Sequence, residues 1–260
     1  MKTHASHLQT NAPLPVAGRN PIHGFTMVEI ALCLAIIAFA LVAIIGVMPT
    51  GIKVQRENRE ETIINQDGLF FLEAIRSGSK GLDELTNYVE RIEIDFPGSA
   101  QTIVYTDNPA DQNFLNNGAE IIGLLSGPKS QFLLNRWQEP VSIIARVKAI
   151  TGVAVEKSQL NKDFAFRYQL RSEVVPFTNM PPYFLARTTT NDILIATNLL
   201  RNMYDVRLTL SWPVFEKGND WTVGKNRKTF RTLVSAELQS NNVNGVSWFF
   251  FEPSTFTTSF

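Results

Sequence analysis

The chain has 260 residues, in which 24 lysines and arginines balance 24 aspartates and glutamates. Nucleic-acid-binding proteins usually carry a basic excess, so this balance argues against a nucleic-acid partner. Apolar residues make up 44% of the chain and charged residues 18%, which supports a packed core and excludes global disorder.

A long apolar segment follows a short polar leader. Residues 1–24 contain Lys2 and Arg19 but no acidic residue, and their prolines and glycines disfavour a stable helix. No residue between Glu29 and Lys53 carries a formal charge. This run is longer than the apolar region of a signal peptide, about 7–15 residues, and reaches the roughly 20 residues that cross a bilayer. We therefore predict a leader over residues 1–24 and a transmembrane helix over residues 25–52. Pro49 predicts a kink in this apolar segment or its end.

Glu29 is unusual because it is a carboxylate at the start of the apolar segment. Such a group costs roughly 2.5–3.5 kcal/mol inside a membrane and usually has a partner. The apolar run offers no lysine, arginine or histidine. Cleavage after Gly24 would give Phe25 a free α-amine, on the same or a neighbouring subunit, as the counter-charge. A neutral, protonated Glu29 is the alternative.

The sequence Gly24-Phe25-Thr26-Met27-Val28-Glu29, followed at once by the apolar helix, resembles the prepilin-type cleavage and methylation motif. Type IV pilins and the pseudopilins of type II secretion share this motif. The resemblance implies cleavage between Gly24 and Phe25, N-methylation of Phe25, and pairing of Glu29 with the N-terminus of a neighbouring subunit. The implied partners are the prepilin peptidase/methyltransferase, other pilin or pseudopilin subunits and the membrane.

Two features refine this resemblance. The leader is longer than in many pilins, and Pro49 comes later than the kink proline of major pilins, which favours a minor pilin or pseudopilin. Residues 44–51 (IIGVMPTG) also resemble the Verru_Chthon cassette B family of pseudopilin-like proteins. Basic residues lie on both sides of the span and do not favour the pilin orientation. Placement in the inner (cytoplasmic) membrane, with the globular domain outside the cytoplasm and a periplasmic or surface filament as its destination, is therefore implied by the resemblance alone.

The charged segment after the span predicts that the helix continues. Residues 53–61 (KVQRENREE) place opposite charges four apart, which supports a solvated helix. Further apolar residues then recur at seven-then-four spacing and mark one helical face: Ile63, Ile64, Phe70, Phe71, Ala74 and Ile75. Gly78 and Gly81 are expected to end the helix. The first half of one long helix would then lie in the membrane.

Beyond Gly81 the hydrophobic pattern changes to a period of two. Alternation predicts strands near residues 92–96, 141–149, 164–171, 204–212, 230–238 and 247–251. The segment 216–220 (EKGND) predicts a turn between two of them. Residues 53–260 should therefore form an extracytoplasmic α+β globular domain. The expected fold is pilin-like, with the long N-terminal helix packed on an antiparallel β-sheet.

Other candidate sites are weaker. Asp107, Asp111, Asn113 and Asn116 could supply calcium ligands, but their spacing does not match an EF-hand, and such clusters usually form turns. We therefore predict no metal site. The aromatic strip at residues 248–251 is expected to lie in the sheet core rather than on a binding surface. The proline-rich segment 176–190 is expected to be a connection, with a partner surface as the alternative.

Catalytic equipment is sparse. The three histidines, His4, His7 and His23, all precede the expected cleavage point, so the processed chain would have no Ser-His-Asp or Cys-His machinery. The single cysteine, Cys33, excludes an intrachain disulfide framework and is expected to act as a small hydrophobe. These observations predict a structural subunit without enzymatic activity or cofactor. The alternatives are a minor pilin whose domain binds a surface or secreted cargo, and a bitopic, signal-anchored protein of other function.

Overall fold

The computed structural model describes residues 24–78, 80–95, 102–129, 142–151, 166–177, 190–217, 220–243 and 246–256. The chain divides into two compact units, Met1–Val54 and Gln55–Phe260. The helices are α1 (Met27–Ser77), α2 (Gly118–Leu125) and α3 (Thr190–Asn202), with a 3₁₀ helix at Asp83–Asn87. The strands are β1 (Val89–Asp95), β2 (Thr102–Thr106), β3 (Ser142–Lys148), β4 (Arg167–Pro176), β5 (Met203–Lys217), β6 (Asp220–Ser235), β7 (Glu237–Val243) and β8 (Val246–Glu252).

The first half of α1 (residues 27–54) is apolar on all sides and exposed throughout. Cys33 belongs to this exposed surface. The helix continues through Pro49, so this proline does not end it. The expectation of one long helix, running from the apolar segment into the charged one, is confirmed.

The second half of α1 (residues 55–77) has one buried face, and it is the predicted one. Its buried residues recur every three or four positions: Glu60, Ile63, Ile64, Asp67, Gly68, Phe71, Ala74 and Ile75. Phe70 is only partly buried and packs against the core from its side. Gly68 allows close packing on the sheet, because a Cβ there would lie 2.3 Å from the Phe230 ring.

The helix ends after Ser77, as expected, and Gly78 is the residue that ends it. Gly78 has a φ of +60°, the left-handed conformation that commonly follows the last helical turn. A Cβ at this position would also lie 2.0 Å from the backbone oxygen of Phe251. Gly81 lies in open space, so one glycine explains the end of α1.

Six strands form one antiparallel sheet in the order β2-β1-β3-β4-β5-β6. Alternate residues of the inner strands are buried, as the period-two pattern predicted. The α1 face of the sheet contributes Tyr168, Leu170 and Leu208, which join Phe71 and Ile75 in one hydrophobic core. The predicted α+β arrangement, a long helix and an antiparallel sheet with one covered face, is confirmed.

Strands β1, β3, β5 and β8 overlap their predicted ranges, although β1 begins earlier, at Val89, and β5 runs further, to Lys217. Residues 96 and 141 of the predicted ranges lie outside the described residues. Strand β4 was predicted too early: residues 164–165 lie outside the described residues, and the strand runs on to Pro176. Strand β6 starts at Asp220, ten residues before the predicted start at residue 230. The prediction missed its first half because that half is polar and shows no alternation of apolar residues. The chain bends at Ala236, so Leu238 belongs to β7 rather than to β6. Lys217 pairs with Asp220, which places the β5–β6 connection inside the predicted turn.

Strands β7 and β8 form a separate two-stranded antiparallel sheet. Phe250 and Phe251 of the aromatic strip are buried, and Phe251 packs edge-on against Tyr204 with ring centroids 5.3 Å apart. The expectation that this strip belongs to the core is confirmed for these two rings. Helix α2, which the sequence analysis missed, lies against β8 and brings Gly123 close to the Phe250 ring.

Most of the segment 176–190 falls outside the described residues, between Phe177 and Thr190. Its two ends are the last residue of β4, Pro176, and the first residue of α3, Thr190.

Candidate functional site

The N-terminal end of α1 is organised by Thr26 and Glu29. The Glu29 backbone N–H donates to Thr26 Oγ1 at 3.3 Å, and the Thr26 backbone N–H faces Glu29 Oε2 at 3.5 Å. These reciprocal contacts have the form of a capping box, in which two side chains satisfy free N–H groups of the first helical turn. The sequence analysis missed this local partner of Glu29, although the spacing Thr-x-x-Glu before an apolar run is its signature.

Gly24 and Phe25 lie directly before this capped turn. Phe25 is 79% exposed, and no atom lies within 4 Å of the position of a Cβ on Gly24. The structure therefore brings the three predicted processing and assembly residues, Gly24, Phe25 and Glu29, to one exposed end of α1. The leader lies outside the described residues except for Gly24.

The exposed apolar surface of α1 needs a non-aqueous partner. Between Phe25 and Val54 its large hydrophobic residues are all about half exposed or more. Soluble monomers rarely present contiguous apolar patches beyond a few hundred Å². By length and composition α1 could cross a membrane once, and it is the one such helix among the described residues. Lipid or other apolar helices are the surroundings that fit this surface.

Asp67 is the centre of the contact between α1 and the sheet. Its side chain is buried and accepts hydrogen bonds from the Ile150 N–H at 2.9 Å, the Thr151 N–H at 3.1 Å and the Thr151 hydroxyl at 2.7 Å. The Tyr168 hydroxyl donates a fourth bond at 3.0 Å. These four donors hold α1 on β4 and on the residues that follow β3.

The environment of Asp67 shifts two ionisation equilibria. Burial raises the pKa of Asp67 above its ordinary value of 3.8, although the hydrogen bonds from Thr151, Ile150 and Tyr168 act in the opposite direction. Burial, with the neighbouring Asp67 charge, raises the pKa of Tyr168 well above 10.0. Sequence reasoning missed Asp67. Its position in the buried stripe, between Ile64 and Phe71, was the available signal.

A second set of charges joins β1, β3 and β4 on the face of the sheet opposite α1. Glu90 accepts from Lys148 at 3.0 Å and from Arg167 at 3.1 Å, and these three side chains are largely buried. The Trp221 ring lies over the guanidinium groups of Arg146 and Arg167, at 4.9 and 5.7 Å. The ion pairs therefore join β1 to β3 and β4, and the cation–π contacts of Trp221 hold the start of β6 against β3 and β4.

The residues considered as calcium ligands are occupied in holding a turn. Asp111 accepts from the Thr106 hydroxyl, and the Asn113 amide donates to the Val104 carbonyl at 3.2 Å. The Asn116 N–H donates to Glu120 at 3.0 Å. Across the described ranges, no group of three or more His, Cys, Asp or Glu residues is placed to hold a metal ion. The turn interpretation accounts for the bonds that these residues make.

A cavity of about 370 Å³ lies beside α2 and the β7–β8 sheet. Its lining residues are Lys80, Ala119, Gln239, Ser240, Asn241, Trp248 and Phe250. Lys80 is already engaged, since it lies 5.3 Å from the Phe250 ring centroid and 3.5 Å from Glu252. The cavity therefore offers amide and aromatic groups rather than a free charge.

No protein-family model, curated protein or solved structure matches the chain. A function must accordingly be argued from the N-terminal motif and from the geometry of the two units.

Proposed function

We propose that the chain is a membrane-anchored, pilin- or pseudopilin-like structural subunit. Its leader is removed between Gly24 and Phe25, Phe25 is N-methylated, and the first half of α1 holds the subunit in the cytoplasmic membrane. Assembly then packs this half against the helices of identical or related subunits in a filament or secretion pseudopilus. The observation that carries the proposal is the exposed apolar first half of α1 with a capped acid at its start.

The second half of α1 supports this assignment by contrast. Its apolar face is fully used within the globular unit, through Phe71 and Ile75, and its buried acid Asp67 has four donors. The first half has no buried residue. A subunit that leaves one helical surface bare along its length is suited to packing against other such helices once lipid is exchanged for protein.

Glu29 has a defined role in this mechanism. Cleavage after Gly24 creates an α-ammonium on Phe25, four residues before Glu29, whose carboxylate faces the Thr26 backbone N–H in the first turn. In apolar surroundings each charge is costly alone, whereas the pair is favoured. Pairing Glu29 of one subunit with Phe25 of a neighbour neutralises both charges and sets the axial register of the two helices.

The first test is the mass of the protein extracted from membranes. We expect a chain that begins at Phe25 and carries one added methyl group. Gly24→Val should block cleavage, because the peptidase accepts a residue without a side chain at this position. An intact leader in the wild type, or a cut several residues from Gly24, would overturn the proposed processing.

The second test separates an assembling subunit from a simple anchor. Glu29→Gln keeps the side-chain shape and removes its charge, so insertion and cleavage should persist while copurification of partner pilins falls sharply. Glu57→Gln, on the same helix but outside the apolar segment, is the matched control and should leave recovery unchanged. Equal partner recovery from wild type and Glu29→Gln would favour a plain anchor with another function.

A further inference from the structure

Besides Arg167, which pairs with Glu90, the face of the sheet turned away from α1 carries four further arginines on β4, β5 and β6. Arg207 lies opposite Arg231, Arg171 opposite Thr209, and Arg227 opposite Ser211. Directly opposed residues of antiparallel strands share a face. The intervening residues Leu208 and Leu210 are buried on the α1 side. Arg171, Arg207, Arg227 and Arg231 therefore project from one surface, which we call the arginine face.

The arginine face has a positive excess that its own acids do not cancel. Asp205 accepts from both Arg207 and Arg231, and Glu173 is paired with Lys129 at 2.9 Å. Arg171 and Arg227 are exposed and have no ion-pair partner in the part of the chain that the structure describes. The four arginines and Lys129 thus face two carboxylates, Asp205 and Glu173. The whole chain, by contrast, has a formal net charge of zero. Such segregation creates a local positive field.

Polar side chains lie between the arginines. The hydroxyls of Thr209 and Thr229 are 3.1 Å apart, and Gln169 and Ser211 lie opposite each other in the adjacent pair of strands. The Trp221 ring lies on the same side of the sheet, against the guanidinium groups of Arg146 and Arg167. The surface therefore combines guanidinium forks with hydroxyl and amide groups on regular strands about 4.8 Å apart.

We propose that the arginine face binds an acidic polysaccharide, a chain of carboxylated sugars. The guanidinium group matches a carboxylate through two parallel hydrogen bonds, and the hydroxyls and amide can bond to sugar hydroxyls. The charge of the face complements such a polymer. This binding belongs to the globular unit and does not depend on the assembly of α1.

Two other polyanions fit the arginine face less well. Single-stranded nucleic acid is usually held by aromatic rings on which bases stack, whereas the Trp221 ring on this side of the sheet already lies against the guanidinium groups of Arg146 and Arg167. An extended acidic peptide gains most of its affinity by adding to a sheet edge, whereas these arginines cover a sheet face. Both polymers serve as comparison ligands in the test.

The experiment uses the full chain in detergent and a surface coated with polygalacturonate. Wild type should bind, and binding should weaken as salt is raised. The double variant Arg171→Gln/Arg227→Gln should bind at least about tenfold more weakly, because it removes two charge-assisted contacts. Both side chains lack ion-pair partners in the described structure, so the variant should keep its melting temperature. Arg76→Gln/Lys80→Gln, which removes two cations outside the arginine face, should bind like wild type.

Three results would overturn the proposal. They are absence of wild-type binding to polygalacturonate, unchanged binding by the Arg171→Gln/Arg227→Gln variant, and equal binding of polyglutamate or a single-stranded oligonucleotide at matched charge. Loss of binding in that variant alone, with preference for polygalacturonate over both comparison ligands, is the result that we expect.

Discussion

The two halves of α1 meet opposite surroundings. From residue 27 to residue 54 every side chain is exposed, and most are apolar. From Glu60 to Ile75 the buried residues form one stripe, and most of the exposed positions are polar: Glu61, Thr62, Gln66 and Glu73. Total hydrophobicity alone would predict that the first half is the buried one, because it is the more apolar of the two, yet it is the exposed half. The arrangement of apolar residues around the helix, rather than their number, distinguishes a helix made for lipid or other helices from one made for a sheet.

Each half also contains one acid in an apolar setting. The Asp67 carboxylate has four donors from its own domain, whereas the Glu29 carboxylate faces a single one, the Thr26 backbone N–H at 3.5 Å. The carboxylate of the docked half is satisfied internally. The carboxylate of the bare half keeps capacity for a partner from outside the domain, which is why we assign it to assembly.

Paired truncations in the two halves should give the largest contrast. Phe71 is fully buried, so Phe71→Ala should lower the free energy of unfolding of the globular unit by about 3–5 kcal/mol. Phe39 is 79% exposed, and Phe39→Ala should leave it unchanged. Chemical denaturation of both variants in the same detergent measures the difference. A similar loss from both would mean that the first half also stabilises the globular unit.

Asp67→Asn should have the next largest effect. Each carboxylate oxygen of Asp67 accepts two of the four hydrogen bonds, one from a backbone N–H and one from a hydroxyl. Replacing either oxygen by an amide NH₂ leaves the backbone N–H of Ile150 or Thr151 without its acceptor, at a cost of about 1–3 kcal/mol at neutral pH, whereas the hydroxyl can turn to accept. Urea denaturation at pH 7 measures this loss. Unchanged stability would show that the hydrogen bonds to Asp67 do not hold α1 on the sheet.

The pH dependence of the Asp67→Asn variant tests the same residue independently. Because burial raises the pKa of Asp67, the folded protein binds this proton more tightly than the unfolded chain. Wild-type stability relative to the variant should therefore rise as the pH falls through the raised pKa towards 3.8, and become constant below it. Glu73→Gln is the control and should change in the opposite direction, since the hydrogen bond from Arg76 lowers the pKa of Glu73.

Gly78→Ala should destabilise the point where α1 ends. A left-handed alanine costs about 1–2 kcal/mol, and its Cβ would lie 2.0 Å from the Phe251 backbone oxygen, so the backbone there would also have to shift. Gly81→Ala is the matched control, because a Cβ there meets open space. Thermal unfolding of the two variants should show a lower midpoint for Gly78→Ala only. Equal midpoints would mean that the helix end can shift without cost.

The smallest expected effect concerns the charged segment at the start of the second half. Arg56 pairs with Glu60 at 2.8 Å, but Arg56 is largely exposed, so Arg56→Gln should cost only about 0.3–0.5 kcal/mol. This loss should disappear at high salt. Arg59→Gln provides an exposed control on the next turn. A salt-independent loss for Arg56→Gln would point to packing of its alkyl chain instead of ion pairing.

The regular parts of the fold were predictable because their patterns are local. The stripe from Ile63 to Ile75 and the alternation in β1, β3 and β5 each follow from a single period. Strand β2, helix α2 and the polar start of β6 were missed, since they are too short or too polar for a period to show. Their conformations depend on neighbours, such as the pairing of β6 with β5 over its whole length.

The candidate sites divide in the same way. The Gly24–Glu29 motif is contiguous and could be read directly, and its capping spacing was also present in the sequence. Asp67 receives its donors from residues 83 to 101 positions away, and the arginine face is assembled by the register of three strands. No spacing along the chain predicts the donors of Asp67 or the grouping of the arginines on one face. Only the pairing of β3 through β6 brings those residues together.

The reach of the Asp67–Gly68 contacts has a consequence for biogenesis. Asp67 binds Tyr168, and Gly68 lies against Phe230, roughly 160 residues further along the chain. At about 5–20 residues per second, the ribosome needs on the order of 8–30 s to supply that last strand. During this interval the buried face of the second half of α1 has been synthesised, but the strand β6 against which Gly68 packs has not. In the membrane-anchored subunit that we propose, delivery of the apolar first half to the translocation machinery would therefore precede folding of the domain. The nascent second half is then the segment that a holding chaperone would have to shield.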